Sequence, residues 1–242
     1  MWRRIAVGMA TTTAPGSGST LTRSCLRSLD LKGPAGRLEA LLNEGSPDAP
    51  YAALLCHPHP KGGGTLHNKV IYRAMKVVND AAWGFGWPAL RFNFRGTGLS
   101  EGVHDGLAES EDVCAALDWL ENEYKRPVVL VGFSFGAAMA IRACCSRNAN
   151  SATLASLIAL GLPTEAEGRR YEYRSLARCS VPKFFLSGDH DQYAPASQLA
   201  QIVQSAAQPR QLALIAGADH FFTGQLDSMQ QALQAWLRGQ FQ

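Results

Sequence analysis

The sequence predicts an α/β fold built on a mostly parallel sheet. Short, apolar, β-branched segments alternate along the 242 residues with longer segments whose apolar positions recur at helical spacing. Such alternation is typical of parallel strands joined by helices that cover both faces of a sheet. With 46% hydrophobic and 18% charged residues, the composition is that of an ordinary globular protein. We therefore expect a twisted sheet of about eight strands flanked by helices on both faces.

The first half of the chain begins with two short strands on either side of a Gly33-Pro34 turn. The apolar run that follows is continuous, as in a strand buried on both faces. The predicted strands are 26–31, 36–42, 52–56 and 89–94, and the predicted helices are 67–82 and 108–124.

The second half continues the alternation. Its first strand is strongly β-branched, and the small residues after it favour a closely packed helix. The predicted strands are 127–133, 154–162, 182–186 and 211–215, and the predicted helices are 136–143, 196–206 and 222–239. The stretch 163–180 is too short to form a large lid, so we expect none.

The charge distribution separates residues 1–22 from a folded domain over residues 23–242. Residues 1–29 contain Arg3, Arg4, Arg23 and Arg27 and no acid. Removing these four from the 23 basic residues leaves 19 basic against 20 acidic residues in 30–242, a net charge of −1. Such a domain lacks the basic surface of a nucleic-acid binder. We interpret residues 1–22 as a flexible extension or a targeting segment of the organellar type, since the apolar stretch is too short for a secretory signal.

Six cysteines occur without the spacing of a zinc site or of a small disulfide-stapled scaffold. We expect free thiols in a reducing compartment, and hence a cytoplasmic protein. No run approaches the roughly 20 apolar residues that span a bilayer, and no pattern indicates a cofactor or a metal. We expect a monomer or a homodimer.

The strongest functional signal is Gly132-Phe133-Ser134-Phe135-Gly136, which follows a buried strand and precedes a helix. In that context G-x-S-x-G is typical of a nucleophile elbow, a tight turn that raises the serine above the sheet. Side chains at the two glycine positions would collide with neighbouring backbone. The alternative, a glycine-rich turn whose serine only caps the helix, is disfavoured by these flanks. We predict that Ser134 is a nucleophile and that the chain has the α/β-hydrolase fold.

A serine hydroxyl needs a base to take its proton, and this fold places an acid and then a histidine after later strands. His220 lies just beyond the last predicted strand and is the only histidine beyond the elbow and both candidate acids. Two acids, Asp189 and Asp191, follow the preceding strand. Spacing alone does not choose between them. We favour Asp191 and assign Asp189 to the loop turn.

An oxyanion hole needs two backbone N–H groups. Phe135, directly after the nucleophile, should supply one. The second should come from the loop after residue 56, where the prolines have no N–H to give. That leaves His59 or Lys61 as the nearest donors.

Two further patterns have weaker functional interpretations. Asn93 and Arg95 lie in a glycine-rich loop after a strand, where we expect them to hold backbone rather than substrate. The sequence Cys56-His57-x-His59 lacks the spacing of a metal site.

Four blocks resemble a known family: HPHP at 57–60, GGT-x-x-NKV at 63–70, LRFNFRG-x-G-x-SEG at 90–102 and GFSFG at 132–136. Together they are similar to small α/β-hydrolases without a large lid, mostly cytoplasmic bacterial proteins close to the dienelactone hydrolase and serine aminopeptidase-like branch. The resemblance implies a carboxylesterase-type enzyme. It also supports Asp191, because the family's acid loop reads G-x-x-D-x-x-x-P, as residues 188–195 do. The chain departs from the family pattern in its N-terminal extension and at Lys61, where an apolar residue is expected.

These observations predict a serine hydrolase that cleaves carboxylic esters of small molecules, with short or accessible acyl groups, through an acyl-enzyme. The same three side chains would also serve a peptidase, an amidase or a thioesterase. A non-catalytic binding protein on the same fold is a third hypothesis, against which the complete set of catalytic residues argues.

Overall fold

The computed structural model of the chain describes residues 25–146, 154–166 and 168–242. Within these residues, eight strands form one sheet and two more form a small separate hairpin. Residues 1–22, interpreted above as an extension or a targeting segment, lie outside the described part of the chain. The eight-stranded sheet agrees with the predicted number of strands.

The large sheet is parallel except at one edge. Its spatial order is β1-β2-β4-β3-β5-β6-β9-β10, with antiparallel pairing only for β1 with β2 and β2 with β4. The strands are β1 (Leu26–Gly33), β2 (Gly36–Asn43), β3 (Ala52–Cys56), β4 (Ala89–Phe92), β5 (Val128–Phe133), β6 (Leu154–Leu160), β9 (Lys183–Gly188) and β10 (Arg210–Ile215). Because β3, β5, β9 and β10 run in the same direction, the loops after them meet at one edge of the sheet.

Helices cover both faces of the sheet, as predicted. The helices are α1 (Lys69–Asn79), α2 (Glu109–Tyr124), α3 (Phe135–Ser146), α4 (Ala196–Ser205) and α5 (Leu226–Phe241). The apolar residues of α1 and α5 pack on one face, and those of α2, α3 and α4 pack on the other. The central strands β3 and β5 are wholly buried, which explains their continuous apolar sequence.

The element boundaries differ from the predicted ones by a few residues, for local reasons. The helix predicted at 67–82 begins at Lys69, because the Asn68 side chain accepts hydrogen bonds from two backbone N–H groups of its first turn. The strand predicted at 89–94 ends at Phe92.

The segment between β6 and β9 contains structure that the sequence did not predict. A hairpin of two-residue strands, β7 (Glu165–Ala166) and β8 (Arg169–Arg170), is followed by a short 3₁₀ turn at Arg174–Arg178. This segment is too small to be a lid domain, in agreement with the prediction. Among the described residues, no helix is both long enough and apolar enough to cross a membrane.

Candidate active site

The turn between β5 and α3 holds Ser134 in a strained backbone conformation. Its φ is +53°, in the left-handed region that costs a non-glycine residue on the order of 1 kcal/mol or more. A Cβ on Gly132 would lie 2.5 Å from the Cα of Ala137, and one on Gly136 would lie 2.3 Å from the carbonyl oxygen of Cys56. Both positions therefore require glycine. The turn presents the Ser134 side chain at the start of α3.

Three side chains that are distant in the sequence form one hydrogen-bonded chain at this edge of the sheet. Nε2 of His220 lies 2.9 Å from Oγ of Ser134, and Nδ1 of His220 lies 2.9 Å from each carboxylate oxygen of Asp191. His220 is 2% exposed and Asp191 is 3% exposed, so water is largely excluded from their contact. With the Nδ1 proton directed at the carboxylate, a neutral ring keeps the Nε2 lone pair to accept the serine proton.

The Asp191 carboxylate is itself held by hydrogen-bond donors. Ser187 Oγ donates to Oδ2 at 2.8 Å, and the backbone N–H groups of Tyr193 and Ala194 donate to Oδ1 at 2.9 and 3.0 Å. Charge-assisted hydrogen bonds of this kind orient a carboxylate and stabilise its negative charge. The imidazole of His220 therefore contacts an acceptor of fixed orientation.

Asp189, the other candidate acid, makes a different contact. Its Oδ1 accepts a hydrogen bond from the backbone N–H of Gly217 at 2.7 Å, which ties the loop after β9 to the loop after β10. The structure thus places Asp191 against His220 and gives Asp189 the turn-holding position expected for it.

The predicted oxyanion donors lie together beside Ser134. Phe135 is the first residue of α3, and the first N–H groups of a helix have no partner within it. His59 and Lys61 both line the cavity next to Ser134. However, the backbone N–H of Lys61 donates to Nδ1 of His59 at 3.2 Å, within a 3₁₀ turn at Pro60–Gly62. That contact turns the Lys61 amide towards its own loop.

A buried imidazole, His57, braces this loop from behind. Its Nδ1 lies 2.7 Å from the carbonyl oxygen of Pro58, and its Nε2 lies 3.1 Å from the backbone nitrogen of Phe94. The Phe94 amide can only donate, so Nε2 accepts and the proton resides on Nδ1. Burial lowers the pKa of His57 to about 4, which keeps the ring neutral. His57 therefore links the loop at 57–64 to the segment that follows β4.

Ser134 opens into a cavity of about 290 Å³. Its walls come from the loop at 57–64, the loop before α2, the β7–β8 hairpin and the loops that carry Tyr193 and His220. Several of the lining residues are aromatic, and others are polar or charged. The lining residues are Pro58, His59, Lys61, Gly62, Gly64, Asn68, His104, Asp105, Gly106, Ser134, Phe135, Ala166, Arg169, Tyr171, Tyr193, His220 and Phe221.

Several of these residues were not predicted from the sequence. Arg169 reaches the cavity from the β7–β8 hairpin, where its Nη1 donates to the carbonyl oxygen of Gly106 at 2.6 Å. His104 stacks edge-on against His59, with ring centroids 4.8 Å apart. Its Nδ1 lies 2.6 Å from Oε1 of the buried Glu109, without the alignment of a hydrogen bond. No periodicity or motif marks these positions, because they meet only through the fold.

Asn93 and Arg95 hold backbone and neighbouring side chains, as expected. Asn93 Oδ1 accepts from the backbone N–H of Leu66 at 2.8 Å. The Arg95 guanidinium pairs with buried Asp112, with Nη2 2.7 Å from Oδ1, and its backbone N–H donates to Oδ2 at 2.9 Å. These contacts fix the loop after β4 on the start of α2.

The residues that the structure describes contain no cluster of three or more His, Cys, Asp or Glu side chains placed to hold a metal ion. Of the Cys56-His57-x-His59 sequence, Cys56 is completely buried, and burial raises the pKa of its thiol. Its side chain packs in the core between the sheet and α3.

Comparison with known proteins identifies the fold and the family. Residues 101–239 match the family model described as an alpha/beta hydrolase domain. An uncharacterized protein of Rickettsia prowazekii (strain Madrid E) is 35% identical over 214 residues, which are 85% of this chain and 86% of that protein.

The similar solved structures include the following two. An alpha-beta serine hydrolase homologue from Coxiella burnetii superposes with a TM-score of 0.77 at 32% identity, over 87% of this chain and 97% of that one. A serine hydrolase without a lid from Xanthomonas campestris superposes with a TM-score of 0.76 at 28% identity, over 90% of this chain and 94% of that one. Together with the elbow at Ser134, these matches show that the chain belongs to the α/β-hydrolase domain family and has the fold of the lidless serine hydrolases.

Proposed function

We propose that the protein is a carboxylesterase-type serine hydrolase, in which Ser134 is the nucleophile, His220 the general base and Asp191 the acid that orients it. One observation carries the proposal. A continuous hydrogen-bonded chain runs from the Asp191 carboxylate through the His220 ring to the Ser134 hydroxyl, with 2.9 Å at each step. This arrangement is what proton transfer from a serine to an imidazole requires.

The reaction follows from the geometry. His220 takes the hydroxyl proton through Nε2 while Ser134 attacks the ester carbonyl. The imidazolium that forms is stabilised by Asp191, whose hydrogen bonds hold it in place without further rearrangement. His220 then gives its proton to the departing alcohol. Water, activated by the same ring, hydrolyses the acyl-enzyme.

Two backbone N–H groups stabilise the oxyanion in this proposal. Phe135 supplies the first from the start of α3, where the helix dipole adds partial positive charge. For the second we favour His59 over Lys61, because the Lys61 amide already donates to the His59 ring. His57, which holds the carbonyl of Pro58, positions this loop.

The cavity limits the substrate. At about 290 Å³ it lies at the lower end of small-molecule sites, which commonly span about 300–1,000 Å³. The aromatic residues Phe135, Tyr193 and Phe221 are among those that line it. We infer a preference for short acyl groups, with an aromatic alcohol or acid accommodated against those rings.

The test is a series of 4-nitrophenyl esters with acyl chains of two to sixteen carbons, together with a matched anilide and a matched thioester. We expect the highest kcat/KM for the shortest chains, a weaker or absent reaction with the anilide, and loss of turnover in Ser134→Ala. Full turnover by Ser134→Ala would refute the nucleophile, and a preference for the anilide or thioester would replace the ester assignment.

A further inference from the structure

Three cysteines, two adjacent in the sequence and one far from them, lie together at one place in the fold, away from Ser134. Cys144 and Cys145 lie at the end of α3, and Cys179 follows the 3₁₀ turn before β9. The Sγ atoms of Cys144 and Cys179 are 3.7 Å apart. We refer to these residues as the thiol cluster.

The thiol cluster opens onto a small cavity of about 120 Å³ at the protein surface. All three cysteines line it, together with Arg178 and Ser175. Since a water molecule occupies about 30 Å³ of liquid, the space admits a small polar oxidant such as hydrogen peroxide.

The charges around the thiol cluster favour a thiolate on Cys179. The Cys144 thiol, whose sulfur lies 3.7 Å from that of Cys179, and the positive charge of Lys183 both hold the pKa of Cys179 below the usual thiol value. Lys183 is 1% exposed, and its Nζ donates to the carbonyl oxygens of Cys179 and Val181 at 2.6 and 2.7 Å. The same contacts raise the pKa of Cys144, which therefore keeps its proton.

We propose that the thiol cluster is an oxidative modification site, at which hydrogen peroxide converts Cys179 to a sulfenic acid and Cys144 resolves it to a Cys144–Cys179 disulfide. In the first step the Cys179 thiolate attacks one peroxide oxygen. An S–O bond forms, the O–O bond breaks and hydroxide leaves, so the sulfur is oxidised by two electrons and the peroxide is reduced.

In the second step the Cys144 sulfur attacks the sulfur of Cys179. An S–S bond forms, the S–O bond breaks, and the departing hydroxide takes up the Cys144 proton as water. Overall, two thiols and one peroxide give one disulfide and two waters. The sulfur atoms must approach from 3.7 Å to about 2.05 Å, which side-chain rotation at two neighbouring residues can supply.

The disulfide would close a loop of 35 residues that contains β6, the β7–β8 hairpin and the 3₁₀ turn. It would join the helix that begins beside Ser134 to the segment that enters β9. Because a cross-link restricts the unfolded chain, we expect the oxidised protein to melt roughly 5 °C or more above the reduced protein.

The experiment treats the reduced full chain with low equivalents of hydrogen peroxide, quenches with catalase, alkylates the remaining thiols and maps tryptic peptides. Trypsin separates Cys144 and Cys145, in peptide 143–147, from Cys179, in peptide 179–183. We expect these two peptides to become linked, with a loss of two mass units, before the exposed Cys25 is oxidised.

Variants identify the pair. Cys144→Ser should abolish the cross-link and leave a sulfenic acid at Cys179 that dimedone traps, whereas the matched control Cys145→Ser should retain the cross-link and the rise in Tm. Oxidation of Cys25 while the thiol cluster stays reduced would overturn the proposal. So would a cross-link that survives Cys144→Ser and disappears in Cys145→Ser. The wild-type peptide map shows whether the thiol cluster forms a cross-link even if a variant fails to fold, and no readout depends on hydrolase activity.

Discussion

Acidification should destabilise this protein through one buried imidazole, that of His57. Burial lowers the pKa of His57 to about 4, against 6.5 for an unburied histidine. Between these values the unfolded chain binds a proton that the folded protein excludes. The contribution of His57 to the free energy of unfolding is therefore fully present above pH 6.5 and is lost as the pH falls towards 4.

The magnitude follows from the two pKa values. The two pKa values differ by about 2.5 pH units, and each pH unit corresponds to about 1.4 kcal/mol. The free energy of unfolding should therefore fall by about 3 kcal/mol once the pH is below 4. About 2 kcal/mol of this loss should already be present at pH 5. The structural cause is specific, because protonation of Nε2 removes the acceptor for the Phe94 N–H. The loop that carries His59 would then lose its link to β4.

The assay is urea unfolding between pH 7.5 and 4.5 for the wild type and His57→Gln. Glutamine offers an acceptor near the position of Nε2 and takes up no proton in this range. We expect the variant to be less stable at pH 7 but to lose about 2 kcal/mol less than the wild type between pH 7 and pH 5. His67→Gln, at an exposed position, controls for the loss of one imidazole. Equal pH slopes in wild type and His57→Gln, or a charged His57 ring at pH 5.5 by nitrogen-15 NMR, would refute the reasoning.

Two substitutions test the acid and the elbow. Asp191→Asn should lower kcat for a short aryl ester by on the order of 10⁴-fold, since the imidazole of His220 loses its orienting charge. The control Asp189→Asn only removes an acceptor for a loop amide, so it should lower kcat by less than about tenfold. Comparable losses of kcat in the two variants would contradict the assignment of Asp191. Gly136→Ala should destabilise the protein by about 2 kcal/mol or more and impair turnover, because its Cβ would lie 2.3 Å from the Cys56 carbonyl oxygen. The matched control is Gly239→Ala in α5, where a Cβ meets nothing within 4 Å. Because alanine favours the helix over glycine, this variant should raise the free energy of unfolding by about 1 kcal/mol. Equal unfolding free energies in the two variants would count against the packing argument.

The sheet and the serine turn could be predicted because their signals are local. A wholly buried strand must be apolar along its length, and the close approach of backbone at Gly132 and Gly136 excludes any side chain. His220 and the acid loop followed from the chain order of the fold. The family match and the superposed structures confirm the resemblance to small lidless α/β-hydrolases.

The features that the sequence could not predict are those set by the conformation of individual loops. Asp189 and Asp191 both follow β9 and lie only two residues apart, so their positions in the sequence do not distinguish them. They differ only through the turn that directs the Tyr193 and Ala194 amides at the Asp191 carboxylate. The β7–β8 hairpin has strands of two residues, too short for any periodicity. Likewise, the contact between Lys61 and the His59 ring depends on a 3₁₀ turn that the prolines allow but do not require.

Contacts between distant segments were equally hidden. Nothing in the spacing of Cys144 and Cys179 indicates that their sulfur atoms lie 3.7 Å apart. Such pairs arise from the packing of helices on the sheet, which a single sequence does not specify.

The most direct test of the account is the rate at which a fluorophosphonate reacts with Ser134, followed by intact mass and peptide mapping. The probe needs an activated serine but no knowledge of the substrate. We predict one adduct per chain, located on Ser134, and a rate at least about 10²-fold lower in His220→Ala. An adduct on another residue, or an unchanged rate in His220→Ala, would contradict the claim that His220 activates Ser134.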